Sequence, residues 1–246
     1  MIRRGGVVAP LRASEEGDMS IGMVLLAGGV GKRMGRTSPK QFLLLGGKPL
    51  IIHVAEAISG IDAIGEIVVT CPAEHIDDTA ALLRNHGLDR RIRCVVGGAS
   101  RQESVRLGLA ALTPCDTVII HEAVRPLVSR SEFQALIADA APNAFYGIPI
   151  PFTVLRGRGK VEGILDRDEL VNVQLPQKFA YAPLVKAHAD AAAAGESYTE
   201  DASLFYARGG GEVKILVGSE RNLKITHPSD LITAEALYAD WRGGGG

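Results

Sequence analysis

The sequence predicts an α/β protein with a doubly wound, Rossmann-like, mostly parallel sheet and a projecting β-arm, on three observations. Short apolar runs alternate with segments of helical character from residue 23 to about residue 140. A glycine-rich turn follows the first apolar run, where such sheets bind ligands. The alternation then breaks between 152 and 178, where two strand-like pieces flank a glycine-containing turn with a charged tip.

In chain order, strands are expected at 23–26, 66–70, 93–96 and 117–120. Helices are expected between and after them, near 49–58, 74–86, 101–112 and 131–140. The excursion at 152–178 is too small to hold a core of its own and so projects as an arm. Helices near 182–194 and 200–207, a strand at 212–217 and a closing helix near 229–241 complete one domain, 21–242. Residues 1–20 read as a flexible extension and 243–246, GGGG, as a flexible tail.

The chain of 246 residues is 46% apolar, enough for one sizeable core. Its formal net charge of −1 offers no global field for nucleic acid, so any anionic ligand must be met by local cations. No apolar stretch approaches the ~20 residues needed to span a bilayer. Three separated cysteines, Cys71, Cys94 and Cys115, read as buried thiols of a cytoplasmic, reduced protein.

The stretch LLAGGVGKRMGRTSPKQ, residues 25–41, joins the first strand to glycines and cations. Gly28, Gly29, Gly31 and Gly35 let backbone N–H groups approach an anion closely, and Lys32, Arg33 and Lys40 add positive charge. It satisfies neither the Walker A spacing nor the dinucleotide G-x-G-x-x-G pattern. Read alone, it is either a triphosphate cradle or a tight strand-to-helix turn with solvated arginines.

This string resembles the opening signature of the cytidylyltransferases that make CDP-alcohols from CTP, the methylerythritol-phosphate and ribitol-phosphate enzymes. GGASRQESVRLGL (97–109), HEAVRP (121–126), LPQKF (175–179), YTEDASL (198–204) and LKITHPSDL (223–231) are similar to further blocks of that family, in the same order. The resemblance implies a Mg²⁺-dependent transfer of CMP from CTP to a phosphorylated or phosphonate alcohol, with pyrophosphate released. It also implies a homodimer in which the arm packs on a second subunit.

Residue by residue, the resemblance implies that Arg33, Lys40 and Lys224 are the catalytic cations. Ala27, Gly28, Gly29, Gly31, Lys32, Gly98, Arg101 and Ser104 fall at nucleotide-binding positions, and Arg101, at a helix start, also reads as structural. Glu122 stands at the metal-ligand position, where the family has aspartate; the extra methylene moves the carboxylate by ~1.5 Å. Arg125, Phe152 and Thr153 are the acceptor-side residues, Arg125 being either a brace for its loop or a ligand contact. His121, beside an apolar strand end, reads as a packing or hydrogen-bonding residue.

The acceptor side departs from the methylerythritol pattern. Pro151 and Phe152 stand where polar residues are common, and Leu175 replaces the threonine of TPQ, which predicts a more apolar acceptor pocket. With AGG in the loop, these changes favour a ribitol 5-phosphate acceptor, with methylerythritol phosphate or a small phosphonate as alternatives. A sugar-phosphate nucleotidylyltransferase and a nucleotide-binding protein without turnover are the competing readings.

Overall fold

The computed structural model describes residues 20–29, 39–88 and 90–243. Its centre is a seven-stranded sheet in the order β11-β7-β10-β6-β1-β4-β5. These strands are β1 (Ile21–Leu26), β4 (Ile64–Cys71), β5 (Ile92–Val96), β6 (Thr117–Glu122), β7 (Ala144–Pro149), β10 (Val171–Ala180) and β11 (Lys214–Val217). β1 runs parallel to β4 and β6, β4 to β5, and β11 to β7. β10 is antiparallel to both of its neighbours, β6 and β7.

Every residue of β1, IGMVLL, is buried, as expected of a strand covered on both faces. Met23 and Leu25 pack with Ile51, Leu83 and Phe133 of helices α1 (Leu50–Ser59), α2 (Ile76–Asn85) and α4 (Arg130–Ala138). Val24 and Leu26 point the other way, into a core with Val105, Leu184 and Phe205 of α3 (Arg101–Ala111), α5 (Tyr181–Ala193) and α6 (Asp201–Ala207). Helix α7 (Pro228–Gly243) covers a third apolar cluster with Leu45, Leu50 and Ile225, beside the small hairpin of β2 (Leu44–Leu45) and β3 (Lys48–Pro49).

Local signals explain several element ends. Ser100 caps α3 by accepting from Glu103 N, and Ser129 with Glu132 forms a full capping box on α4. Gly108 lets α3 sit close on the sheet, since a Cβ there would lie 2.5 Å from Val24 Cγ1.

Strand order also positions the site. The chain moves from β1 outward to β4 and β5, then returns across α3 to place β6 on the other side of β1. The order therefore reverses between β1 and β6, and the crevice beyond their carboxyl ends is where a doubly wound sheet takes its ligand.

Two expectations are corrected. Strand β7 was not anticipated, and residues 171–178, assigned to the arm, lie in the middle of the sheet as part of β10. The projecting hairpin itself is shorter, β8 (Val154–Arg156) with β9 (Gly163–Leu165). A proline inside QLPQKF reads as a strand breaker, yet the ladder shifts register between Gln174 and Gln177 and so absorbs it. Of the three free cysteines only Cys71 is fully buried. Residues 1–19 and 244–246, read as flexible ends, lie outside the described residues.

Candidate active site

A cavity of about 280 Å³ opens at the strand-order reversal, lined by the turns after β1 and β5, the end of β6 and the segment before α7. Its walls include Ala27, Gly28, Gly29 and Lys40 on one side and Gly98, Ala99 and Ser104 on the other, with Glu122 and Lys224 between. Four sequence blocks thus meet in one crevice.

Backbone hydrogen bonds fix the first wall. Ala27 N donates to Thr70 O at 2.8 Å, and Ala123 N donates to Leu26 O at 2.9 Å, tying the chain after β1 to both neighbouring strands. Lys40 N donates to Gly29 O at 3.1 Å, closing the loop whose intervening residues, 30–38, lie outside the described set. The assignments of Gly31, Lys32 and Arg33 fall there as well.

The second wall is the 97–100 turn. Gly98 N donates to Ser104 Oγ at 3.1 Å, and Ser104 Oγ donates in turn to Ser100 O at 2.9 Å. Ala99 N donates to Glu103 Oε2 at 2.8 Å. Gly98 is required by close approach, because a Cβ would fall 2.3 Å from the Glu103 side chain. Ser104 therefore lines the cavity while its hydroxyl holds the turn.

The cations come from distant parts of the chain. Lys40 is buried, and its Nζ donates to Thr226 O at 3.0 Å. Lys224 Nζ donates to Glu122 Oε1 at 2.9 Å, with its side chain 34% exposed. The LKITHPSDL block supplies both contacts because Ile225 N bonds Val124 O, and Asp230 Oδ2 accepts from Thr226 N and Oγ1 and from His227 N. The block is a clamp that seats two lysines.

Glu122 is the electrostatic centre. Burial opposes its charge, yet Lys224, Arg101 and Arg125 hold its pKa down at about 2. Arg101 Nε donates to its Oε1 at 3.1 Å and Arg125 Nε stands 3.4 Å from Oε2. A direct metal bond to Glu122 would compete with these cations, and the described residues contain no cluster of three or more metal-ligating side chains. The donor set still suits a magnesium ion carried by a triphosphate, which needs only one or two protein carboxylates.

Two arginines are held by protein partners, in line with the structural side of their two readings, and Arg101 also lines the cavity. Arg101, assigned to the nucleotide, has its guanidinium against Glu122, Glu200 and Asp201 at 3.1, 3.1 and 2.8 Å. Arg125, assigned to the acceptor, is buried and donates to Asn222 O and Oδ1 at 3.1 and 3.3 Å, which is the bracing role. Burial holds the pKa of Arg125 below its ordinary value against the pull of Glu122. His121 is fully buried edge-on to Phe133, its ring nitrogen 3.2 Å from Arg125 O, and burial pushes its pKa down to about 3. It is a neutral packing residue.

On the arm side, Phe152 and Thr153 are exposed. Leu175 is not: its side chain is fully buried in the core with Val24 and Phe179, so it lines no acceptor pocket. Leu175 therefore contributes nothing to a more apolar acceptor pocket.

Sequence reasoning gave no role to Asp201, Glu200, His188, Asn222 or Thr226. The signal for the first two was present, since YTEDASL places adjacent carboxylates at a helix start, but nothing local says what they face.

Comparison with known proteins agrees with this geometry. Residues 21–240 match the family model described as IspD, 2-C-methyl-D-erythritol 4-phosphate cytidylyltransferase. The enzyme of that name from Solibacter usitatus is 36% identical, covering 90% of this chain and 97% of its own length. The one from Geobacillus thermodenitrificans is 37% identical, with 90% and 98% covered. Among solved structures, the 4-diphosphocytidyl-2C-methyl-D-erythritol synthase of Anaerococcus prevotii superposes with a TM-score of 0.79 at 26% identity, covering 90% of this chain and 97% of that one. The Thermus thermophilus cytidylyltransferase gives 0.72 at 32% identity, covering 88% and 98%. These relatives do not support the preference for ribitol 5-phosphate and fit the methylerythritol alternative better. With the blocks assembled at the strand-order reversal and the match running along nearly the whole domain, the chain belongs to the IspD family and is a CTP-using cytidylyltransferase.

Proposed function

We propose that this protein transfers CMP from CTP to 2-C-methyl-D-erythritol 4-phosphate, forming the 4-diphosphocytidyl alcohol and pyrophosphate. The observation that carries the reading is the convergence of Gly28, Gly29, Gly98, Lys40 and Lys224 on one crevice, in a chain whose relatives bear that enzyme's name. An oxygen of the acceptor phosphate attacks the α-phosphorus in line. The bond to the β-bridging oxygen breaks, and pyrophosphate leaves with that oxygen. The acceptor phosphate is already ionised near neutral pH, so no general base is needed.

Catalysis is then positioning and charge neutralisation. On this reading the turns at Gly28–Gly29 and Gly98 hold the nucleotide. Lys40 and Lys224 face the charge that builds on the phosphates, with Arg33 as a third cation from the resemblance. Glu122 is the residue that would hold a Mg²⁺ ion arriving with CTP, and the ion would lower the charge of the phosphates.

We infer that the arm packs on a second copy of the chain and brings Phe152 and Thr153 to an acceptor site there. The support is apolar exposure, with Phe152 74% and Ile164 78% accessible in the single chain. Three free thiols fit a cytoplasmic protein.

The test is incubation with CTP, Mg²⁺ and, separately, methylerythritol 4-phosphate, ribitol 5-phosphate, glycerol 3-phosphate and 2-hydroxyethylphosphonate, reading pyrophosphate release and product mass. Turnover at least tenfold faster with methylerythritol 4-phosphate is expected. Preference for another acceptor, or CTP binding without turnover on any of them, overturns the reading.

A further inference from the structure

The charges at the crevice floor do not stop at Glu122. Arg101, the first residue of α3, reaches Glu122 at the end of β6 and continues to Glu200 and Asp201 at the start of α6. Asp201 Oδ1 then meets His188 Nε2 of α5 at 3.0 Å, and both of these side chains are only 1% exposed. Gln177 of β10 closes the far side, donating to Glu200 Oε2 at 3.1 Å and accepting from Ala202 N at 3.0 Å. The result is one unbroken chain, His188–Asp201–Arg101–Glu122–Lys224, running from the α5–α6 packing layer to the cavity wall.

Its charges balance, with Arg101, Arg125 and Lys224 against Glu122, Glu200 and Asp201. Such a cluster is a poor device for stability alone, because apolar residues of similar volume fill the same space at equal or lower free energy. It does fix geometry. Removing Asp201 would leave Arg101 free to swing toward Glu122 and Glu200, and the carboxylate that seats Lys224 would follow. Arg101, Glu122 and Lys224 all line the cavity, and Lys224, its side chain 34% exposed, is the most accessible of the three. A cation that must meet a phosphate in the transition state loses about 10²-fold in rate for a misplacement near 1 Å.

We propose that Asp201 and His188 are positioning residues for nucleotidyl transfer, acting through Arg101 to set the Glu122 carboxylate and, with it, the ammonium of Lys224. This rests on the reading of the crevice as the CTP site. Neither residue touches the nucleotide; their effect is on where Lys224 stands.

The test compares Asp201→Asn, His188→Leu and His188→Gln for kcat, for KM of CTP and acceptor, for CTP affinity by calorimetry, and for Tm. Asp201→Asn should lower kcat 10- to 100-fold, and His188→Leu about fivefold, with CTP affinity held within threefold. His188→Gln, which keeps a donor near the Nε2 position, should recover most of the loss. If Asp201→Asn does not fold, the two His188 variants decide the matter, because leucine keeps the volume and removes only the hydrogen bond. Wild-type kcat in the folded Asp201→Asn or His188→Leu protein overturns the proposal. So does a loss of kcat matched by an equal loss of CTP affinity, or no difference between leucine and glutamine at 188. A wild-type chain that turns over no acceptor overturns the functional reading itself, whereas an active wild type with unmoved variants overturns only this inference.

Discussion

At the crevice, Glu122, Asp201, Arg125 and Asn222 are buried and, with the half-buried Arg101, joined to one another within a single chain, whereas along the arm Phe152, Val161 and Ile164 turn apolar side chains to solvent, at 74, 64 and 78% exposure. The difference separates what one chain completes by itself from what it leaves for another surface. Charges gathered from α3, β6, α6 and the segment before α7 need no outside partner to reach neutrality. Apolar side chains on a three-residue-per-strand hairpin have no core of their own to enter. On our reading, the described part of the nucleotide half is held in place within one chain, and the acceptor half is finished by a second copy.

The largest effect that sharpens this contrast is expected at Lys40. Lys40→Ala should lower kcat by roughly 10²–10³-fold, as loss of one preorganised charge donor does elsewhere, with the acceptor preference unchanged. Steady-state kinetics check this, and unaltered turnover would remove Lys40 from the reacting site.

Next comes the arm. Burial of one isoleucine side chain is worth about 1.5–3 kcal/mol, so Ile164→Asp should weaken self-association at least ~10-fold. Sedimentation or gel filtration would show a shift toward monomer, and the acceptor KM should rise while CTP affinity stays. An unchanged oligomeric state would break the comparison, because the exposed arm would then have some other purpose.

The smallest effect concerns Leu175. Placing a hydroxyl in its fully buried position should destabilise the fold by about 1–3 kcal/mol, so Leu175→Thr should lower Tm and leave acceptor KM where it was. A changed acceptor preference with unchanged Tm would return Leu175 to the acceptor pocket.

Much of the fold was legible because its periodicities are local. A strand buried on both faces reads as a continuous apolar run, as in IGMVLL, and helices α1, α3 and α5 each carry their apolar stripe in the sequence. The glycine loop, Lys40, the GGAS turn and Lys224 were legible because their blocks resemble those of a family. The part that was misread is non-local. QLPQKF carries a proline and polar residues and gives no sign that it lies between β6 and β7. Leu175 lies within it, so its burial followed the same error.

By itself, then, the sequence determined the alternation of elements, the residue types able to cradle a phosphate and the absence of a basic field for nucleic acid. The tertiary structure alone decided which charges meet. Arg101 lies 21 residues from Glu122 and 100 from Asp201, and Lys224 lies 102 from Glu122, yet all four share one charged network. The sign and strength of an interaction between charges depend on distance and burial, and neither is written in the order of the residues.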